Sequence, residues 1–347
     1  MPSQSTEITI KDIARICGVG VSTVSRAINN HSDINPETKE LIMSAIEKYG
    51  YVPNNSARNL KRIDGKSIAI LVKGISNPFF FDMISVIEEK AQKEGYSTVI
   101  RHVEFGEDEV DVAIELSKEK RLSGIIFLGG VFCDSEEKLK KLNVPFVIDT
   151  AGNAPVNLDK SLYSSFTVDD EKEGYKVTKY LLDLGHKDIA ILCGELNTDS
   201  VGQLRLNGYR RAFEEKNIRI NEDLILPMKE GIEYFTLANG YANMKELLDK
   251  NMHVTAVFAI SDIIAIGACR AIVDAGLKIP EDISVIGFDG IEYGKYMVPS
   301  LSTLKQPVLE IAEESANLLF DLIDEKAENQ HRLFEGELII RESSSAT

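Results

Sequence analysis

The chain is poor in the residues that usually announce chemistry. It has four cysteines, Cys17, Cys133, Cys193 and Cys269, far apart and with no CxxC pair, which argues against both a disulfide framework and a structural zinc site. Its five histidines, His31, His102, His186, His253 and His331, show no metal-ligand spacing, and no nucleophile elbow accompanies them. No stretch approaches the roughly 18 apolar residues of a membrane span, and the first residues lack the basic start and apolar run of a signal peptide. The expectation is a cytoplasmic protein without metal or other cofactor and without a membrane partner. Positive charge is also short: 39 Lys and Arg against 55 Asp and Glu leave a net charge of -16. That total looks hostile to nucleic acid, whose binding is driven by lysine and arginine.

The charge is unevenly spread. Residues 1 to 64 hold eight basic and seven acidic side chains, a balance of +1, so the remaining 283 of the 347 residues carry -17. An acidic body joined to a near-neutral head fits a head that touches DNA while the body is repelled from it. At 347 residues and 44% hydrophobic content, the chain is long enough for two to three packed domains.

The first fifty residues read as three short helices. Thr9 and Asp12 have capping-box spacing, and Ile10, Ile13, Ala14 and Cys17 recur at helical intervals. Gly18, Val19 and Gly20 make a tight connection to a second segment, Val21 to Asn29, with Val24, Ala27 and Ile28 inward and Ser22, Thr23, Ser25 and Arg26 outward. Asn35 before Pro36 starts a third helix that Gly50 ends. Between Tyr51 and Gly65 the apolar pattern thins, leaving Ala57 and Leu60 in a short polar segment, either a linker or a helix that forms only on a partner. From Ser67 onward short β-branched runs (SIAILVK, YSTVI, GIIFL, PFVID, IAILC, TAVFA, ISVIGFD) alternate with amphipathic stretches. Such alternation makes an α/β protein of doubly wound parallel sheets, and about 270 residues exceeds one ordinary sheet, so two subdomains with a cleft between them are predicted. The closing Ser343 to Thr347 reads as a frayed tail.

These residues carry a family signature. TIKDIARICGVGVSTVSRAIN (Thr9 to Asn29), YGYVPN (Tyr49 to Asn54) and SARNLK (Ser56 to Lys61) closely resemble the DNA-binding head and hinge of lac-repressor-type (LacI/GalR) bacterial transcription regulators. SNPFF at Ser76, LGHKDIAIL at Leu184, ISVIGFD at Ile283 and LSTLKQP at Leu301 resemble the effector-binding core of the same family, of periplasmic-binding-protein type. The resemblance implies a helix-turn-helix head over 1-52 and a hinge helix and linker over 53-65. It implies a core N-subdomain over 66-163 and 292-325, and a core C-subdomain over 164-291 and 326-342.

On that resemblance the recognition helix is Val21 to Asn29. Val21, Ser22 and Arg26 fall on base-reading positions, Thr23 and Ser25 on phosphate positions, and Asn29, Ala57, Leu60 and Lys61 complete the DNA-binding set, with Leu60 as an apolar minor-groove wedge. Gly20 departs from the serine many members carry there, a small change because glycine caps nearly as well. In doubly wound sheets ligands lie beyond the carboxyl ends of strands. Asn77, Phe79 and Phe80 follow the first strand, Asp149 ends the fourth, Ser261 and Asp262 follow TAVFAI and Asp289 ends ISVIGFD; Arg205, Phe235 and Gln306 fall on family ligand positions. Carboxylates and amides suit paired hydroxyls, and aromatic rings suit the apolar face of a sugar. Each also has a plainer role open to it: Ser261 as a helix cap, Phe80 in the core, Asp149 in a turn, Arg205 as a surface charge and Leu60 in a core.

The resemblance therefore implies a regulator, not an enzyme: a repressor acting as a homodimer on pseudo-palindromic double-stranded DNA. Its effector is expected to be a small molecule bound in the core cleft, an unphosphorylated monosaccharide or small glycoside, with a nucleobase as the main competitor. No tetramer is expected, because no C-terminal heptad segment follows Ile340. Two alternatives stay open, a periplasmic-type solute-binding protein and a family regulator controlled by a partner protein instead of a sugar.

Overall fold

In the computed structural model the described residues are 8-28, 34-51, 66-104, 106-132, 136-152, 158-194 and 200-347. The chain divides into two compact units between Gly65 and Lys66. In the first, three helices span Ile10–Cys17, Val21–Ile28 and Pro36–Tyr49. Asp12 accepts from Thr9 N at 3.1 Å and from Thr9 Oγ1 at 2.6 Å, and Asn35 Oδ1 accepts from Glu37 N at 2.8 Å, so both helix starts use their own side chains on otherwise orphaned backbone donors. Gly18, at φ 67°, closes the first helix in the left-handed region that a side chain resists. Ile13, Ala14, Val24, Ala27 and Ile42 form the small core, where each large aliphatic group contributes about 1.5 to 3 kcal/mol. Cys17 stands half-buried at its edge. The expected hinge over 53-65, with Ala57, Leu60 and Lys61, and Asn29 of the recognition segment lie outside the described residues.

The second unit holds two six-stranded sheets. The N-lobe sheet is built from β1 (Ser67–Lys73), β2 (Ser97–Val103), β3 (Leu122–Leu128), β4 (Phe146–Asp149), β5 (Ser164–Val168) and β11 (His331–Phe334), in the order β11-β5-β4-β3-β1-β2, all parallel. The C-lobe sheet is built from β6 (Ile189–Cys193), β7 (Ile225–Pro227), β8 (Ala256–Ala259), β9 (Ser284–Asp289), β10 (Ser302–Lys305) and β12 (Glu337–Ile339), in the order β12-β10-β9-β8-β6-β7, with only β12 antiparallel. The central strands are buried on both faces, which is why they read as unbroken apolar runs.

The sheets correct the subdomain boundaries. Ser164–Val168 pairs with β4 in the N-lobe, so the first crossover falls at Asp169 and not before Ser164. Ser302–Lys305 pairs with β9 in the C-lobe, so residues 292-305 are not N-lobe; the chain crosses at Gln306 and Pro307, and the Val308–Ile323 helix packs on the N-lobe. His331–Phe334 pairs with β5, which moves 331-334 from the C-lobe to the N-lobe and puts the third crossover at Glu335 and Gly336. In each case a short strand stays where its backbone ladder is satisfied, a constraint the side chains alone do not announce.

The tail is also corrected. Ser343 is fully buried and its hydroxyl donates to Val285 O at 2.6 Å, while Ser302 N donates to Ser343 Oγ at 2.7 Å. His186 is buried in its turn, held between Thr255 Oγ1 at 3.0 Å and Ser345 O at 2.9 Å. Residues 343-347 are thus docked into the C-lobe and not frayed.

Candidate functional site

Strand ends of both lobes converge on one cleft. Asn77 lies just past β1, Asp289 ends β9, Gln306 begins the second crossover, and Arg205 sits on the Val201–Glu215 helix that follows β6. These four sequence-predicted residues come together. Gln306 Nε2 donates to Asp289 Oδ1 at 3.1 Å, the Asn77 side chain hydrogen-bonds the same carboxyl from the opposite lobe, and Arg205 Nη1 lies 4.0 Å from Asp289 Oδ1. All four are buried.

Arg205 is held in full. Its Nε and Nη2 both stand 2.8 Å from Asp170 Oδ1, its Nη1 donates to Ile260 O, and its guanidinium lies 3.6 Å from the centre of the Phe288 ring. It is therefore neither a surface charge nor a free ligand hook. Its geometry suits a planar group that stacks and pairs at once.

The carboxyls here are electrostatically unusual. Burial pushes Asp289 up to about 7, against the pull of Arg205, Gln306 and Asn77 toward the charged form. Burial likewise raises Asp170, with the Arg205 charge opposing it. Asp262 is held well above the usual carboxylate range by burial and then by the nearby Asp289 charge, although it accepts from Thr303 Oγ1 at 2.6 Å and from Gly290 N and Ile291 N at 2.8 Å. Those bonds fix the turn that carries Asp289, whose own φ of 122° lies in the left-handed region.

Beside this cluster lies a cavity of about 240 Å³ between the lobes. Lys73, His102, Glu104 and Val131 line it from the N-lobe; Ser200, Glu233, Tyr234 and Phe235 line it from the C-lobe. Ser76 Oγ donates to Glu233 Oε1 at 2.7 Å, tying the lobes at its side. Lys73 Nζ reaches Glu107 O at 2.8 Å and Glu109 Oε2 at 3.1 Å, while Val131 N donates to Glu109 Oε1 at 2.8 Å, so one nearly buried carboxylate shapes the N-lobe wall.

The remaining predicted residues divide. Phe235 lines the cavity. Phe79 and Phe80 are buried in the hydrophobic core, edge to face at 5.1 Å, and like Asn77, Arg205, Asp289 and Gln306 they do not line the cavity. Asp149 is fully buried, raised by that burial, and accepts from Ser315 Oγ of the Val308–Ile323 helix. Ser261 is buried and caps the Asp262–Asp274 helix, accepting from Ile264 N at 3.4 Å. Sequence reasoning placed Asp262 beside Ser261 at a strand end and passed over Asp170, Phe288, Lys73, Glu104, Glu233 and Tyr234. Strand-end position was the available signal for Lys73 and Glu104. In the head, Val21, Ser22 and Arg26 are exposed, with Thr23 and Ser25 half-buried beside them.

The described chain thus has a three-helix head and a two-lobed core of parallel sheets with an interlobe cavity. Residues 9 to 54 match the family described as "Bacterial regulatory proteins, lacI family", and residues 178 to 344 match a periplasmic binding protein-like domain. The chain is 43% identical over 338 residues to the HTH-type transcriptional regulator MalR of Clostridium butyricum, spanning 97% of this chain and 99% of that protein. Its fold is similar to the lac repressor dimer bound to operator and the anti-inducer ONPF (TM-score 0.71, 26% identity, 98% of this chain and 100% of that one). It is also similar to a transcriptional regulator CelR-cellobiose complex (TM-score 0.69, 28% identity, 97% of this chain and 100% of that one). The chain belongs to the lacI family of bacterial transcriptional regulators, a family of non-enzymes. Among the described residues no helix is long and apolar enough to cross a membrane, and no group of side chains could hold a metal ion.

Proposed function

We propose that this regulator is a homodimeric repressor whose operator binding is controlled by a neutral sugar, a monosaccharide or small glycoside, held between the lobes. The observation that carries the reading is the interlobe cavity, with Tyr234 and Phe235 on one wall and Glu104, His102 and Glu233 around it, next to the buried Arg205–Asp289–Asn77–Gln306 cluster. Asp289 Oδ2 is buried with no hydrogen-bond partner among the described residues, an acceptor that a sugar hydroxyl would satisfy. A phosphate ester fits worse, since two carboxylates, Glu104 and Glu233, line the cavity. The cellobiose complex of the CelR structure supports the same class of ligand. Phe79, Phe80, Asp149 and Ser261 serve the site from behind, as core and cap.

For the DNA side, Arg26 is the proposed base reader, with Val21 and Ser22 beside it and Thr23 and Ser25 toward the phosphates. Asn29, Ala57, Leu60 and Lys61 complete the proposed contacts on sequence grounds alone. The dimer gains support from the lac repressor structure and from the exposed Tyr293, Tyr296 and Val298, apolar surface of the kind that subunit contacts cover.

Calorimetry on the full chain with glucose, maltose, cellobiose, ribose, their phosphates and free purines tests the effector class. Heat from a neutral sugar, lost when Tyr234 and Phe235 become alanine, is the expected result. Binding of only a phosphate or a purine would overturn the sugar and leave the regulator.

A further inference from the structure

The Asp170–Asp183 helix begins right after the first crossover and makes two sets of contacts from its first two turns. Toward the cleft, Asp170 receives Arg205. Toward the third crossover, Lys172 Nζ donates to Glu335 Oε1 at 2.7 Å, Glu173 Oε1 accepts from Gly336 N at 3.3 Å, and Lys176 Nζ donates to Gly336 O at 2.9 Å. Glu173 is fully buried and pairs with Lys176 at 2.6 Å. Glu335 and Gly336 are the whole connection between β11 in one lobe and β12 in the other, and both polar groups of the Gly336 backbone are gripped by this one helix. A Cβ at Gly336 would stand 2.7 Å from Leu304 and 3.2 Å from Glu173, so the crossover is also closed in by packing.

The same helix is joined to its neighbour, Val201–Glu215, backbone to backbone. A Cβ at Gly174 would lie 2.6 Å from the Arg205 carbonyl oxygen, and one at Gly208 would overlap the Glu171 carbonyl. Helices in such contact shift together, because sliding one drives its backbone into the other.

We propose that this helix pair is a lever linking the state of Arg205 in the cleft to the grip on Gly336, with Glu173 and Lys176 as its positioning residues. A ligand that draws Arg205 from Asp170 moves the pair and releases the third crossover, freeing the lobes to change their angle. The link rests on the cleft being the effector site, but the test uses no effector, so failure of the lever is distinguishable from failure of the sugar reading.

Hydrogen exchange at the Gly336 amide of the full-length chain reads the grip directly. Glu173→Gln, Lys176→Met, Arg205→Lys and Asp170→Asn should each speed it roughly tenfold, the effect of one weakened charge-assisted hydrogen bond, while the amides of Ile189–Cys193 exchange as in the parent. A purely local clamp would respond to Glu173→Gln and ignore Arg205→Lys and Asp170→Asn; that pattern overturns the lever. So does an unchanged Gly336 amide in Glu173→Gln. Should Arg205→Lys loosen β6 as well, Asp170→Asn decides, and equal acceleration of β6 and Gly336 in both variants counts against the proposal.

Discussion

Arg205 and Asp170 meet on adjacent helices with two guanidinium nitrogens 2.8 Å from one carboxylate oxygen, and both side chains are almost wholly buried. A pair taken this far out of water is net stabilising only while both partners are present. Arg205→Ala should therefore cost about 3 to 5 kcal/mol of unfolding free energy in urea, because it strands the Asp170 charge. The double variant Arg205→Met with Asp170→Leu should recover most of that loss. A single-variant loss below about 1 kcal/mol would show a solvated pair of the surface kind.

Asp289 makes stability depend on pH with a sign opposite to that of ordinary surface carboxylates. Burial raises its folded-state value to about 7, above its ordinary 3.8, so the folded protein binds this proton more tightly than the unfolded chain. The contribution is fully present below about pH 4 and is lost as pH rises through 7. Urea midpoints should thus fall between pH 5 and pH 8 in the parent and fall less in Asp289→Asn. Asp149, Asp170 and Asp262 shift the same way and leave a residual slope. Equal slopes in parent and variant would refute the assignment.

Removing residues 343 to 347 should destabilise the C-lobe by about 3 kcal/mol, since several buried hydrogen bonds near 1 kcal/mol each are lost at Val285, Ser302 and His186. Thermal unfolding of the truncated chain is the check. An unchanged midpoint would restore the picture of a frayed tail.

Much of this architecture is legible in the sequence because its elements are locally over-determined. Asn35-Pro36 and Thr9 with Asp12 mark helix starts by backbone chemistry that needs no tertiary partner, and SIAILVK or ISVIGFD are short, β-branched apolar runs of the kind that doubly buried strands carry. The short strands Ser164–Val168, Ser302–Lys305, His331–Phe334 and Glu337–Ile339 were not legible, and the misplaced boundaries follow from them. They are polar or half-exposed, and only the neighbouring ladder makes them strands. The site was legible where strand ends point at it, as with Asn77 and Asp289. Asp170 and Glu173 were not, because acidic residues in a first helical turn read as ordinary solvated charges favoured by the helix dipole. Only the folded chain shows that one meets Arg205 and the other Gly336.

If the proposed function holds, the head that reads DNA answers to a sugar in the cleft. Fluorescence anisotropy of the full-length chain on a two-fold symmetric duplex, selected from a randomised library, tests it with and without maltose, cellobiose, glucose and ribose. One neutral sugar should shift the operator affinity by at least roughly fivefold, a coupling of about 1 kcal/mol. Arg26→Ala should meanwhile weaken the duplex by about 1 to 3 kcal/mol and relax the preference at one base pair in each half-site. An operator affinity that no sugar moves, but that a purine or a partner protein does, would contradict the claim.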